Sequence, residues 1–309
     1  MRRLAYQAAA LAGTGLLAWF LIANASASLE ARHIASGFGF LRREAGFEIG
    51  QSFFLHYSAA DSYLKAIAVG LVNTLMVSLI GIVLATGLGG IIGICLLSKN
   101  FLLKFLSASY VEFIRNVPVL VQLFFWYALI TEVLPGPREA LHPLPGVFLS
   151  NRGIFFPTWS SVPALDGFNF TGGAALTPEF AALLLGLSVY TASFIAEIVR
   201  AGLRAVPRGQ HEAADALGLD FRRKIFRIVL PQALRVIVPP LTSQYLNLTK
   251  NSSLAVAIGY PDLVSIANTT INQTGQAIEG IAVIMAVYLT ISLSISAFMN
   301  WYNARIALR

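Results

Sequence analysis

The chain has 309 residues, of which 56% are hydrophobic and only 12% are charged, well below the roughly 25% charged fraction of soluble domains. This composition excludes an ordinary water-soluble protein. The net charge of +7 does not indicate a nucleic-acid-binding protein, because most lysines and arginines lie beside apolar runs, as in cytoplasmic loops of membrane proteins.

The first apolar stretch, Leu4 to Ala23, follows two arginines and precedes Ala25-Ser26-Ala27. Such flanks are typical of either a retained membrane helix or a cleavable signal peptide, and the length of the stretch favours the retained helix. Residues 29–62 mix charges and aromatics without a long apolar run. We therefore predict a first domain, residues 1–62, made of a transmembrane helix and an extracytoplasmic connection.

The second predicted domain, residues 63–309, crosses the membrane repeatedly, since several of its apolar runs exceed the roughly 18 residues that span a bilayer as a helix. With the first stretch it forms an all-α polytopic bundle of about six transmembrane helices. Lysines and arginines cluster beside alternate ends of the spans, which predicts that both termini are cytoplasmic. The five spans are Tyr63–Leu97, Ser109–Leu134, Pro178–Ile198, Val236–Ile258 and Ala277–Tyr302.

Glycines and prolines predict local features of these spans. Gly89, Gly90 and Gly93 permit close approach of another helix, and Pro118 is expected to break the third span and free backbone carbonyls. The Pro- and Gly-rich stretch after this span, up to Thr177, is predicted to be an external loop. Residues 259–276 form either an external loop or a re-entrant piece, expected to close an outer gate.

The cytoplasmic loop, residues 200–235, is too amphipathic for a simple linker and too charged to enter lipid. Residues 212–218 form a short helical run of Ala and Leu closed by Gly218, which suits a left-handed helix terminus. A second helix begins at Asp220 as N-cap, buries one apolar face and ends at Leu230-Pro231. An amphipathic helix lying on lipid headgroups is the alternative interpretation.

Glu212-Ala213-Ala214, Gly218 and Ile228-Val229-Leu230-Pro231 together resemble the EAA signature of bacterial ABC import permeases. The resemblance implies a type I importer permease (MetI-like) fold. It also implies that the short helix inserts into a groove of a separate ATPase subunit, so that ATP-driven closure pushes on the membrane helices. The ATPase-coupling residues implied in this way are Glu212, Ala213, Ala214, Gly218, Leu230 and Pro231.

Three further motifs resemble the polar amino-acid branch of these permeases: Asn73-Thr74-Leu75, Phe113-Ile114-Arg115-Asn116-Val117-Pro118 and Lys250-Asn251-Ser252-Ser253-Leu254. The stretch Ile34 to Phe47 and the external loop resemble the general L-amino-acid importers called Aap or Bzt. The resemblance covers most of the chain from Leu64 onward and implies a permease for amino acids.

Polar residues inside a membrane are costly and are therefore candidates for a substrate pathway. Arg115 could neutralise a substrate carboxylate or pair with Glu112, and Lys250 could meet a carboxylate or pair with Glu197. Glu197 could instead pair with Arg200, and the serines could bond a zwitterion or merely helix backbone. The predicted pathway residues are Glu112, Arg115, Asn116, Gln122, Tyr190, Ser193, Glu197, Asn247, Lys250, Asn251, Ser252 and Ser253.

The chain lacks a phosphate-binding Gly-x-x-x-x-Gly-Lys-Ser/Thr loop, and its histidines and single Cys95 form no catalytic or metal pattern. We therefore expect a chain that is not itself an enzyme and carries no cofactor, and the resemblance implies a transporter subunit of the bacterial inner membrane. The resemblance implies that ATP and Mg²⁺ are used by the partner ATPase. It further implies a second permease subunit, with a heterodimer favoured over a homodimer, and a periplasmic amino-acid-binding protein.

An ion-coupled secondary transporter is the alternative function. Glu112 and Glu197 could bind a driving ion in such a protein. It would predict broken helices in two matching halves, whereas the sequence has no convincing internal repeat, and it would leave the segment from Pro207 to Pro231 unexplained.

Overall fold

The structure, a computed structural model, describes residues 2–31 and 36–307. Residues 32–35, which include the start of the stretch compared with Aap and Bzt, lie outside the described part, as do residues 1, 308 and 309. Within the described residues there are ten α-helices: α1 Arg2–Ala31, α2 Tyr63–Cys95, α3 Phe101–Asn116, α4 Val119–Ala128, α5 Pro178–Arg204, α6 Arg208–Ala216, α7 Phe221–Lys224, α8 Leu230–Asn251, α9 Leu263–Thr274 and α10 Ala277–Ala307.

Four helical segments of the described chain are long and apolar enough to cross a membrane: α2, α5, the continuous stretch Phe221–Ile258, and α10 up to Arg305. The pair formed by α3 and α4 would supply a fifth span. In α1 the apolar part is the shorter Tyr6–Leu21, and its described side chains are all exposed. The mostly helical membrane architecture is thus confirmed, whereas a sixth span through α1 stays a prediction.

The third predicted span is not one straight helix. It begins earlier, at Phe101, and turns by 104° between α3 and the segment Val119–Val133. The break lies at Pro118, which has a φ of −55° and precedes α4 as its N-cap. Proline lacks a backbone N–H and its ring clashes with the preceding turn, so the predicted break at this residue is confirmed.

The predicted end of the second loop helix at Leu230-Pro231 is wrong, and the helix that carries the fifth span begins well before Val236, the predicted start of that span. A π-helical segment, Ile225–Val229, joins α7 to α8, and the helix runs on past Pro231. Pro231 lies two residues after the π-helical segment, and local π adjustments of this kind re-satisfy backbone groups that a proline leaves unpaired. α8 then continues as a 3-10 segment, Ser252–Ile258, which ends at Gly259 with a φ of +77°.

The external loop contains six short strands that the sequence analysis did not predict. Strands β1 Leu141–Leu144, β2 Val147–Ser150, β3 Gly153–Phe156 and β6 Ala174–Leu176 form an antiparallel sheet in the order β1-β2-β3-β6. Strands β4 Ala164–Asp166 and β5 Asn169–Thr171 form a separate hairpin. The hairpin packs on the sheet through Phe170, whose ring centroid lies 4.5 Å from that of Phe148. Strands of three or four residues are too short to establish an alternating pattern.

The extracytoplasmic connection packs directly onto the outer ends of the spans. Phe40, which is 1% exposed, contacts a cluster that includes Tyr63, Leu263 and Ile266. The backbone N–H of Gly37 donates to Glu279 Oε1 at 2.5 Å. The residues before the predicted domain boundary at 62/63 therefore pack against those after it. The boundary itself stays a prediction.

The most extensive helix contact in the chain is that between α2 and α5, and glycines permit it. A Cβ added at Gly89 would lie 2.7 Å from Ile195 Cβ and 2.8 Å from the Ala192 carbonyl, and one at Gly93 would lie 2.7 Å from the Ala196 carbonyl. A Cβ at Gly90 would meet nothing within 4 Å. The predicted close approach is confirmed for Gly89 and Gly93, which lie four residues apart on one helix face.

We expect Gly89→Ala to lower the free energy of unfolding by about 1–3 kcal/mol, because the added methyl group overpacks a contact made partly by rigid backbone. Gly87→Ala is the matched control, since a Cβ there meets nothing within 4 Å and alanine is the better helix former. Thermal or denaturant unfolding of the purified chain in detergent measures both. Equal stability of the two variants would contradict the packing role of Gly89.

Candidate functional site: the cytoplasmic loop and a polar cleft

The first half of the cytoplasmic loop is a short helix with a well-defined end. The N–H of Leu219 donates to the Ala214 carbonyl at 3.1 Å, and the N–H of Gly218 donates to the Asp215 carbonyl at 3.0 Å. This pair of bonds is the Schellman arrangement, which requires a left-handed residue after the helix. Gly218 supplies it with a φ of +69°, as the sequence predicted. A Cβ at Gly218 would meet nothing within 4 Å, so its backbone conformation, and not space, explains the glycine.

Side chains fix α6 to the helix that leads into the membrane. Ala214 is fully buried, Lys224 Nζ donates to Asp215 Oδ1 at 2.6 Å, and Gln232 Nε2 donates to Gln210 Oε1 at 3.1 Å. α6 is therefore held against both α7 and the start of α8.

The opposite face of α6 is uncovered in this chain. Glu212 and Ala213 are exposed, and the apolar side chains of Leu217 and Phe221 are 78% and 74% exposed. Asp220 precedes α7 at the N-cap position without a side-chain capping bond, and its carboxylate lies 3.2 Å from Arg223 Nε instead. Leu230 and Pro231 belong to the first turn of α8. The loop thus presents a small apolar surface on a rigid support.

The structure brings four of the predicted pathway residues together in a cleft between α3 and α5, which we call the α3–α5 cleft. Its volume is about 770 Å³. Glu112, Arg115 and Asn116 line it from α3, and Glu197 lines it from α5. Further residues of the same two helices line the cleft and were not among the predicted pathway residues, including Lys104 of α3 and Phe194 and Arg204 of α5. Which face of α3 meets which face of α5 is decided by their packing, and the sequence of either helix alone does not show it.

The salt bridges in this cleft show which of the predicted charge pairs form. Arg200 holds Glu197 through two hydrogen bonds, one of them 2.8 Å from Arg200 Nε to Glu197 Oε2. The guanidinium carbon of Arg115 lies 4.7 Å from the centre of the Phe194 ring, an arrangement that leaves the edge of the guanidinium available to an anion. Among the described residues, Glu112 forms no salt bridge with Arg115, and neither does Glu197 with Lys250.

Gln122 and Ser193 bond backbone groups. Gln122 Nε2 donates to the carbonyls of Ile114 and Val117, each at 2.9 Å, and these are carbonyls that the break at Pro118 exposes. Ser193 is buried, and its hydroxyl donates to the Tyr190 carbonyl at 2.7 Å. The Gln122 amide therefore pairs the carbonyls left free by the break between α3 and α4. The sequence analysis did not predict this role of Gln122.

Of the other predicted pathway residues, Tyr190 of α5 is half-buried, with its ring centroid 5.0 Å from that of Phe194. The remaining five lie at the end of α8 or just after it. Asn247 and Lys250 are exposed, together with Ser243 one turn before them; we call these three residues the α8 polar stripe. Asn251 is half-buried. Ser252 donates to the Thr249 carbonyl and Ser253 to the Lys250 carbonyl, both at 2.7 Å, so the serines take the helix-backbone alternative.

Polar contacts tie the connection between α8 and α10 to α2. Asn73 Nδ2 donates to the Pro261 carbonyl at 2.9 Å, and Thr74 Oγ1 accepts from the Leu263 N–H at 3.1 Å. Asp262 is fully buried and caps α9 by accepting from the Ser265 N–H at 2.8 Å. Burial raises the pKa of the Asp262 carboxyl to about 7. The motif residues Asn73 and Thr74 thus position the segment that the sequence assigned to an outer gate.

We expect Gln122→Leu to destabilise the protein by about 1–3 kcal/mol, because it leaves two carbonyls unpaired in an apolar environment. Gln244→Leu in α8 is the matched control, since Gln244 makes no side-chain hydrogen bond within the described chain. Thermal unfolding in detergent measures both. A stable Gln122→Leu variant that alters only transport would assign this residue to the pathway instead.

A model of the family described as "Binding-protein-dependent transport system inner membrane component" matches residues 85–308. YhdX of Escherichia coli, whose name assigns it provisionally to the amino-acid ABC transporter permeases, is 47% identical over 97% of this chain and 92% of its own length. The general L-amino acid transport system permease protein AapQ of Rhizobium johnstonii is 44% identical over 94% of this chain and 88% of its own.

Among solved structures, one described as an amino acid ABC transporter with histidines matches with a TM-score of 0.58 and 26% identity, covering 79% of this chain and 95% of that chain. The expected importer-permease fold is confirmed by this match together with the family model.

Proposed function

The chain belongs to the family of binding-protein-dependent transport system inner membrane components, and from this premise we propose that it forms half of the membrane pathway of an ATP-driven amino-acid importer. In this proposal a separate ATPase, which binds ATP and Mg²⁺, docks on the cytoplasmic loop. A second permease subunit, most simply a related chain in a heterodimer, completes the pathway. The relatives' names, which give amino acids as cargo, support the substrate class.

One observation carries the coupling role. The uncovered surface of α6 is joined through Asp215–Lys224 and Gln210–Gln232 to a helix that is continuous from Phe221 to Ile258. A force applied to α6 would reach the membrane through helical backbone and not through a slack linker. Leu217 and Phe221 supply the apolar contact expected at the centre of a protein interface, while Glu212 and Ala213 complete the docking face.

The α8 polar stripe supports the pathway role and the second subunit. Ser243, Asn247 and Lys250 are exposed on a helix whose span is otherwise apolar enough to lie in lipid. Facing hydrocarbon with a lysine and an asparagine would be costly, so such residues normally face protein or a water-filled cavity. A partner helix across a hydrated pathway satisfies this requirement.

We assign substrate contact to the α3–α5 cleft. Its arginines suit a carboxylate, and Glu112, which no described cation neutralises, suits an ammonium group. The orientation with both termini in the cytoplasm follows from the arginines and lysines at the ends of the spans, and it leaves the six-stranded external region for contact with a periplasmic binding protein. The alternative, an ion-coupled transporter, is less well supported. One of the two carboxylates that could bind its driving ion, Glu197, is already held by Arg200.

Gly218→Asp tests the coupling role. We expect a loss of amino-acid uptake of about tenfold or more, because a non-glycine residue at a φ of +69° costs about 1–3 kcal/mol and distorts the end of α6. The measurement is uptake together with substrate-stimulated ATPase activity in proteoliposomes that contain the assembled transporter.

Gly167→Asp is the matched control for this test. Gly167 has a φ of +62° in the external hairpin and is equally open around its Cα, so the two substitutions impose similar strain at opposite ends of the molecule. Equal loss of uptake in both variants would contradict a specific role for α6. Uptake that persists without ATPase activity and follows an ion gradient would refute the importer itself.

Arg115→Gln tests the substrate cleft. We expect the KM for amino-acid uptake to rise by about tenfold, the effect of losing one charge-assisted hydrogen bond, while Arg115→Lys recovers part of the affinity because it retains the charge. Arg152→Gln in the external region is the control of equal charge. An unchanged KM with a lower amount of folded protein would make Arg115 a packing residue.

A further inference from the structure

A second cleft, which we call the α8–α10 cleft, lies between the start of α8 and the end of α10. Its volume is about 1090 Å³. Three arginines line it, Arg227, Arg235 and Arg305, together with the aromatic residues Phe298, Trp301 and Tyr302. The substrate pathway proposed above uses none of these six residues.

The arginines of this cleft lack counter-charges. None of its lining residues is acidic, and the described part of the chain forms no salt bridge with any of the three. Two basic residues of α7, Arg223 and Lys224, are by contrast paired with Asp220 and Asp215. The cleft therefore concentrates three positive charges, which favours an anionic occupant.

The geometry of the guanidinium groups suits an oxyanion. The guanidinium carbon of Arg305 lies 4.5 Å from the centre of the Trp301 ring. Stacking of this kind holds the plane of the group and leaves its N–H edges for an acceptor with paired oxygens, such as a carboxylate or a phosphate.

The surroundings of the cleft are those of a membrane interface. Phe298, Trp301 and Arg305 recur at three- and four-residue spacing on one face of α10, and Trp and Tyr prefer the level of lipid headgroups. Nearer the start of α10, Val287 and Ile291 lie on this same face and line an apolar groove of about 500 Å³ between α10 and α2. The groove continues this face of α10 from the cleft along the span, so one molecule could place a charged group in the cleft and a hydrocarbon chain along α10.

We propose that the α8–α10 cleft binds the phosphodiester headgroup of an anionic glycerophospholipid, with an acyl chain lying along α10. The three arginines hold the phosphate and the aromatic residues contact the glycerol and the first methylene groups. Because Arg227 and Arg235 belong to the helix that connects the cytoplasmic loop to the membrane, the lipid braces that helix against α10.

The test uses the full chain in detergent, titrated with phosphatidylglycerol that carries brominated acyl chains. Bromine quenches nearby tryptophan, and subtraction of the signal from Trp301→Phe isolates Trp301. We expect saturable quenching by phosphatidylglycerol and none by brominated phosphatidylcholine. The combined variant Arg227→Gln, Arg235→Gln, Arg305→Gln should raise the half-saturating lipid concentration on the order of a hundredfold, since each basic residue near an anionic headgroup contributes about fivefold.

The control variant Arg208→Gln, Arg222→Gln, Arg223→Gln removes the same charge from exposed positions of the cytoplasmic loop and should bind the lipid as the native chain does. Equal weakening in both variants would reduce the effect to diffuse surface charge and overturn the proposal. Complete displacement of the lipid by an equal concentration of inorganic phosphate would show that the acyl chain contributes nothing and would overturn it too. So would equal quenching by phosphatidylcholine, or loss of quenching when the partner ATPase is added. The last outcome would assign the cleft to the ATPase.

Discussion

The close packing of α2 against α5 is the contact on which the rest of the chain depends. Gly89 and Gly93 let the backbone of one helix meet that of the other, and in lipid such contacts replace the hydrophobic effect that would drive packing in water. α5 in turn carries α3, α4 and α8 on its remaining surface. The α3–α5 cleft exists because α2 holds one face of α5 while the opposite face of the same stretch contributes Phe194 and Glu197.

A second constraint is that backbone groups inside a membrane must find partners within the protein. The bend at Pro118 would leave carbonyls unpaired, and the buried amide of Gln122 bonds two of them. These bonds stabilise the 104° bend between α3 and α4. With α3 in this orientation, Arg115 and Asn116 line the cleft together with residues of α5. Gln122, which the sequence indicated as a pathway residue, thus stabilises the bend on which the proposed pathway depends.

The cytoplasmic loop and the membrane helices form one mechanical unit. α6 is fixed by buried Ala214 and by two side-chain bonds to the helix behind it, and that helix continues through a π-helical segment and past Pro231 without interruption. The same helix contributes the α8 polar stripe and one wall of the α8–α10 cleft. The docking face, pathway and lipid cleft proposed above therefore share one continuous helix.

The sequence by itself determined the features that depend on neighbours within a few turns: the apolar spans, the break at Pro118, the glycine pair of α2 and the left-handed helix end at Gly218. Each follows from the local chemistry of one residue type. For Glu197 and for the serines after α8 the sequence offered local alternatives, and the structure selected the pair with Arg200 and the bonds to backbone three residues earlier. Only the tertiary structure decided that Arg115 stacks on Phe194 and that α3 and α5 together enclose a cleft. Those two outcomes depend on which residues separate helices bring within contact distance, and no periodicity along the chain encodes that distance.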